Sequence, residues 1–117
     1  MEYLTRTVGK VRVLGLSGNF DRYNLAVIRQ WLEDATKSSP AYIVINLSGV
    51  DLLDSSGLAT LVYSLKRARK FDGNVRLCGL SQSIRMLFEL TRMDKIFELY
   101  VTEDDAIQAF SLVEVTV

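Results

Sequence analysis

The residues most able to do chemistry in this chain stand together in Asp51-Leu52-Leu53-Asp54-Ser55-Ser56-Gly57-Leu58. Two hydroxyls beside two carboxylates suggest three chemistries: a nucleophilic serine, a metal site, or a serine that accepts a phosphoryl group. The nucleophile has no base. The chain contains no histidine, and the serine pair is not set in a G-x-S-x-G elbow, so a His-dependent triad is excluded. Asp51 and Asp54 are two loop carboxylates without further ligands, which solvation and capping explain better than a bound cation. No metal is expected, and no cofactor. Gly15-Leu16-Ser17-Gly18 lacks the Gly-Lys-Ser/Thr ending of a phosphate-binding loop. Cys78 is the only cysteine. That rules out an intrachain disulfide and a Cys/His zinc site. Its apolar run, Val75-Arg76-Leu77-Cys78-Gly79-Leu80, points to a buried, inert thiol.

The elements that position these residues follow from patterning. Residues 2–8 and 11–18 read as two strands joined by the Gly9-Lys10 turn, a β-hairpin. Asp21 or Asn24 can cap a first helix, in which Leu25, Ile28, Leu32 and Ala35 form the inner stripe and Trp31 lies at its edge. Pro40 precedes a third strand, Ala41 to Leu47, apolar enough to be covered on both faces. A loop from Ser48 to Asp54 leads to a second helix from about Ser56, with Leu58, Leu61, Val62, Leu65 and Ala68 inward. A turn at Asp72-Gly73-Asn74 precedes a fourth strand, Val75 to Leu80. Ser81 or Ser83 caps a third helix with Ile84, Leu87, Phe88 and Thr91 inward. Ile96 to Tyr100 reads as a short fifth strand. Thr102 caps a last helix whose first turn holds Glu103, Asp104 and Asp105, and whose inner side is Ala106, Ile107, Ala109 and Phe110. The tail beyond about Leu112 is expected to fray.

The order is ββαβαβαβα. This is an α/β fold with a mixed sheet of about five strands and about four helices, packed mainly on one side. No linker, repeat or low-complexity tract interrupts it, so one domain over residues 1–117 is expected. Hydrophobic residues make up 49% and charged residues 24% of the chain, enough apolar material for a real core. The 14 basic and 14 acidic residues cancel, whereas a nucleic-acid binder needs a basic excess. No apolar stretch is long enough to span a membrane, and Met1-Glu2-Tyr3-Leu4-Thr5-Arg6 lacks a signal-peptide core. The expected location is the cytoplasm, with neither nucleic acid nor membrane as partner.

Within that layout Ser55 falls at the junction between the end of a central strand and the start of a helix, the edge where ligands and partners of open α/β sheets dock. Two readings compete on local chemistry. Ser55 or Ser56 is a helix cap, or Ser55 is an exposed acceptor for a kinase, at a helix N-terminus that tolerates the added anion.

The stretch Ile43-Val44-Ile45-Asn46-Leu47-Ser48-Gly49-Val50-Asp51-Leu52-Leu53-Asp54-Ser55-Ser56-Gly57-Leu58 closely resembles the bacterial anti-sigma-factor antagonists, single-domain members of the STAS group. The resemblance covers nearly the whole chain. Gly18-Asn19-Phe20-Asp21 resembles the family's Gly-x-x-Asp turn, and Met93-Asp94-Lys95-Ile96-Phe97 its lead into the last strand. It implies that Ser55 is the phosphorylation site, supported by Asp54, Ser56, Gly57 and Asp21. It also implies that the unphosphorylated form captures an anti-sigma factor, a GHKL-type serine kinase, and so frees a sigma factor. A PP2C-type phosphatase restores the serine. The partner surface implied comprises Asn19, Phe20, Asp21, Asn24, Asp54, Ser55, Ser56, Leu58, Ala59, Ser81 and Ser83. Asn19 departs from the family, where an acid is common, and similar switches act on targets other than sigma factors, as scaffold modules in stress-sensing or transport assemblies. The chain is expected to be a binding module, not an enzyme.

Overall fold

In the computed structural model, which describes the backbone of residues 1–115 and the side chains of residues 1–111, five strands form one sheet in the order β1-β2-β3-β4-β5. The strands are β1 (Glu2–Val8), β2 (Val11–Phe20), β3 (Tyr42–Leu53), β4 (Asn74–Cys78) and β5 (Glu98–Tyr100). The helices are α1 (Leu25–Ala35), α2 (Ser55–Lys70), α3 (Gln82–Leu90) and α4 (Glu103–Val115), with a 3₁₀ turn at Met93–Lys95 before β5. The expected element order is therefore found. β1 and β2 pair antiparallel, and β2 to β5 run parallel. The fraying expected after Leu112 concerns positions outside the described side chains.

Alternation along the strands builds two cores. Leu14 and Leu16 of β2, Ile43, Ile45 and Leu47 of β3, and Val75 and Leu77 of β4 pack against Ile28 and Leu32 of α1, Leu61 and Leu65 of α2, and Ile84 and Phe88 of α3. The opposite face of the same strands presents Val11, Val13, Val44 and Cys78 to Ala106, Ile107 and Phe110 of α4. Three helices on one face and one on the other explain why the first part of β3 is apolar without interruption: Ile43, Val44 and Ile45 are all fully buried. On the α4 face the Arg76 side chain is also buried. Its guanidinium lies 4.0 Å from the Phe110 ring centroid and pairs with Glu98.

Several boundaries differ from expectation, for reasons of tertiary contact. Ser48 to Leu53 is a continuation of β3 and not a loop. It pairs with the end of β2 through Ser17↔Gly49, Gly18↔Val50, Asn19↔Leu52 and Phe20↔Leu53, with two register shifts that carry the bulges. Val50 and Leu53 enter the core, which overrides the turn-like composition. Gly49 permits the approach, since a Cβ there would lie 2.5 Å from Ser17 Oγ and 2.8 Å from the Leu16 carbonyl. β2 likewise extends to Phe20. β4 stops at Cys78, and Gly79 turns away with φ 71°. β5 begins at Glu98, because Ile96 and Phe97 close the 3₁₀ turn onto the Met93 carbonyl. Thr91 is exposed and not inward, with its hydroxyl donating to the Leu87 carbonyl at 2.7 Å.

Candidate functional site: the N-terminus of the second helix

The site starts where β2 and β3 end side by side. The Asp54 N–H donates to the Phe20 carbonyl at 3.3 Å, which ties the last residue of β2 to the first residue beyond β3. Asp54 is the N-cap of α2, extended at φ −93° and ψ −178°. One of its carboxylate oxygens accepts from the Gly57 N–H at 2.9 Å, and the other from the Arg22 N–H at 3.2 Å. A single side chain thus caps the helix and pins the β2–α1 turn beside it. The Gly57 N–H holds the Asp54 carboxyl below the usual carboxylate range. Desolvation opposes this, and the Arg22 and Ser56 N–H groups and the Arg22 charge reinforce it.

Ser55 is the first residue of α2, one position after the cap, and it is exposed. Among the described residues its hydroxyl takes no hydrogen bond. This corrects the expectation that Ser55 or Ser56 caps the helix: Asp54 does so, and the helix begins one residue earlier than expected. Ser56 is half-buried and its carbonyl accepts from Thr60 Oγ1 at 2.9 Å. Gly57 is buried against the end of β2. Leu58 is half-buried against the core, and Ala59 is exposed.

The adjoining turn has its own bonds. One Asp21 carboxylate oxygen accepts from the Tyr23 N–H at 3.0 Å and from Asn24 Nδ2 at 3.1 Å. Asn24 Nδ2 also donates to the Asn19 carbonyl at 2.9 Å. Asn24 occupies the N-cap position of α1 but makes no side-chain cap; its Nδ2 holds this turn instead. Asn19 is exposed and Asp21 half-buried. Phe20 departs from the expectation of a partner contact. It is fully buried, and its carbonyl and ring lie under Gly57. Two residues not singled out from the sequence stand here instead: Arg22, whose guanidinium lies 4.8 Å from the Tyr23 ring centroid, and Tyr23, 77% exposed. Only their place between Asp21 and Asn24 could have marked them.

Ser81 and Ser83 stand at the start of α3. Ser81 caps α3 by accepting from the Ile84 N–H at 3.3 Å, and its hydroxyl is 3.3 Å from that of Ser83. Both are exposed at the same edge of the parallel sheet. β4 ends opposite Asn46, and Gly79 beyond it lies against Ser48. No hydrogen bond joins Ser81 or Ser83 to the group around Ser55 among the described residues.

Glu103, read from sequence as part of a helix-start charge run, has a more definite place. It is paired with Arg6 of β1 and accepts from Asn46 Nδ2 of β3 at 2.8 Å. Burial alone would raise its pKa, but Arg6 and Asn46 outweigh that and hold it below the ordinary value. Among the described residues no group of three or more His, Cys, Asp or Glu side chains is arranged to hold a metal ion, and no helix is long and apolar enough to cross a membrane.

A five-stranded mixed sheet with helices on both faces, whose central strand feeds a capped helix, defines a single-sheet α/β domain. The model of the STAS domain matches residues 2–106, and the chain belongs to that family. It is similar to the anti-sigma F factor antagonist of Paenibacillus polymyxa, 24% identical over 104 residues that cover 88% of this chain and 89% of the relative. Among solved structures it is similar to an anti-sigma factor antagonist from Mycobacterium paratuberculosis, with 31% identity, a TM-score of 0.81 and 92% of each chain covered. The Bacillus cell fate determinant SpoIIAA in its phosphorylated form shares the fold at 21% identity and a TM-score of 0.73, over 93% of this chain and 99% of that one.

Proposed function

We propose that this protein is an anti-sigma factor antagonist switched at Ser55. The unphosphorylated form binds an anti-sigma factor of the GHKL serine-kinase type and releases its sigma factor. Phosphate on Ser55 ends that binding, and a PP2C-type phosphatase restores it. The observation that carries this reading is the exposed Ser55 hydroxyl at the first position of α2, left free by Asp54, which does the capping. Relatives named for anti-sigma factors, and a fold neighbour solved in a phosphorylated form, support it.

The partner surface centres on Ser55, Ser56, Leu58 and Ala59 and on the turn formed by Asn19, Asp21 and Asn24. Asp54 braces it, and Ser81 and Ser83 extend it. A phosphate adds a charge of about −1.5 to −2 at this surface. A partner that excludes water there buries it unpaired or clashes with it, at a cost of several kcal/mol. Each 1.4 kcal/mol is about tenfold in affinity, so binding is lost while the fold stays.

The test uses the cognate kinase. Incubation with ATP should add one phosphate to the wild type and none to Ser55→Ala, read by mass. Calorimetry should show Ser55→Ala binding and Ser55→Asp failing to bind. Equal affinity of Ser55→Asp and wild type, or equal phosphorylation of Ser55→Ala, overturns the assignment.

A further inference from the structure

The two edges of the sheet are unlike. β5 offers only three residues, whereas β1 offers seven, every one of them exposed. Leu4 is 82% and Tyr3 44% exposed. A long open edge of this kind is a template for another strand unless it is blunted.

The backbone of β1 has a definite free side. Gly9, at φ 59°, takes the first central position of the two-residue turn, as a type II′ hairpin requires. That turn closes on the hydrogen-bonded pair Val8↔Val11. Hydrogen-bonded and non-bonded pairs alternate from there. Arg6, Leu4 and Glu2 therefore spend their N–H and C=O groups on β2, and Thr7, Thr5 and Tyr3 turn theirs outward.

The side chains of β1 are self-complementary in one register. In an antiparallel pairing centred on Leu4, Leu4 faces Leu4, Tyr3 faces Thr5 and Glu2 faces Arg6. Tyr3 and Thr5 form the hydrogen-bonded pairs, using the groups that β2 leaves free. Leu4↔Leu4 and Glu2↔Arg6 are the non-bonded pairs, where side chains come closest. A parallel in-register pairing would instead oppose Glu2 to Glu2 and Arg6 to Arg6. Arg6 points two of its nitrogens at Glu103, and guanidinium carries five N–H donors, which leaves donors for a second carboxylate. On the other face of the edge, Tyr3 borders an apolar groove with Ala26, Val27 and Trp31 of α1, where Val27 is 52% exposed.

From this charge and hydrogen-bond complementarity we infer that β1 is a docking edge for a second copy of this chain, giving a two-fold symmetric dimer with one continuous ten-stranded sheet. The inference does not depend on the role of Ser55.

The test uses the full chain. Leu4→Cys places a thiol on the two-fold axis, at a Cα separation of about 4.5 Å, within disulfide reach. Thr7→Cys, exposed on the same strand, is carried away from its own copy by about 20 Å. Under mild oxidation Leu4→Cys should become a covalent dimer and Thr7→Cys should stay monomeric, with buried Cys78 silent in both. Sedimentation of the unmodified chain should show reversible dimerisation across roughly 10–1000 μM, the range of a small interface. The dimer should be absent in Glu2→Arg and in Leu4→Lys, both exposed positions whose melting temperature should stay at the wild-type value. A wild type that remains monomeric throughout, equal cross-linking of the two cysteine variants, or a dimer that survives Glu2→Arg overturns the inference.

Discussion

Replacing Gly57 by alanine sets two terms of opposite sign against each other at the base of the candidate site. Alanine is the better helix former by about 1 kcal/mol in a helix interior. A Cβ at Gly57, however, would lie 2.5 Å from the Phe20 carbonyl oxygen, 2.7 Å from Leu53 Cδ1 and 3.2 Å from Phe20 Cγ. Leu53 can change rotamer, but the Phe20 carbonyl is backbone at the end of a paired strand. The start of α2 must then retreat by about 1 Å to reach ordinary contact. That stretches the Asp54 N–H bond to the same carbonyl, already 3.3 Å. Overpacking of this kind costs about 1–3 kcal/mol. The net expectation is a loss of up to about 2 kcal/mol, and at about 4 °C per kcal/mol for a domain of this size the melting temperature falls by up to about 8 °C. Ala59→Gly calibrates the propensity term, because Ala59 is exposed in the same helix. It should cost about 1 kcal/mol. Melting followed by circular dichroism reads both variants. If Gly57→Ala raises the melting temperature by about what Ala59→Gly removes, propensity alone governs the position and the close approach to Phe20 is refuted.

Two further outcomes follow from ionisation. The Asp54 and Glu103 carboxyls are both held below their ordinary values, so their contribution to stability is present above the normal carboxylate range and is lost as pH falls through the depressed values. Asp54→Asn and Glu103→Gln should each flatten the decline of melting temperature below about pH 4; an unchanged or steeper acid limb in both refutes the pairings. Cys78 is fully buried, and its pKa is pushed up to about 12, first by burial and then by the charge of Glu103, so a thiol reagent at pH 8 should label it only at the rate of unfolding, and rapid labelling of native protein contradicts this placement.

How far the sequence carries the structure depends on whether the signal is local. The helix stripes Ile28–Leu32–Ala35 and Ile84–Phe88 and the run Ile43 to Leu47 are periodic patterns whose burial is found as read. The caps at Ser81 and Thr102 are local hydrogen bonds and are found too. What escaped is non-local. Ser48-Gly49-Val50-Asp51 has turn composition, and only the neighbouring end of β2 makes it a strand. Phe20 follows a glycine and an asparagine, which suggests a surface turn, and only the packing of α2 buries it. Thr36, Thr60 and Ser64 are buried polar residues whose hydroxyls donate to carbonyls of their own helix three or four residues back. A hydrophobicity stripe does not foresee that solution. The exposure of β1 on both faces is a similar case, since nothing in Glu2-Tyr3-Leu4 states that no helix covers it.

The placement of Ser55 one residue past the cap has a consequence for how a switch at this position can work. Were Ser55 itself the cap, a phosphate on its oxygen would remove an acceptor from the helix N-terminus, and modification would act through the stability of α2. Asp54 takes that duty with one oxygen and braces Arg22 with the other, so the phosphate arrives on a hydroxyl that bonds to none of the described residues. The first-turn N–H groups of α2 offset the new anion locally. Gly57 holds the helix start against Phe20 and Leu53, so small displacements are resisted by packed backbone. Change is then confined to what the surface presents: a charge of about −2 where there was a neutral hydroxyl. On this geometry Ser55→Asp should melt close to the wild type even as it loses its partner. A Ser55→Asp variant that melts many degrees lower would instead mean that the switch works by loosening α2.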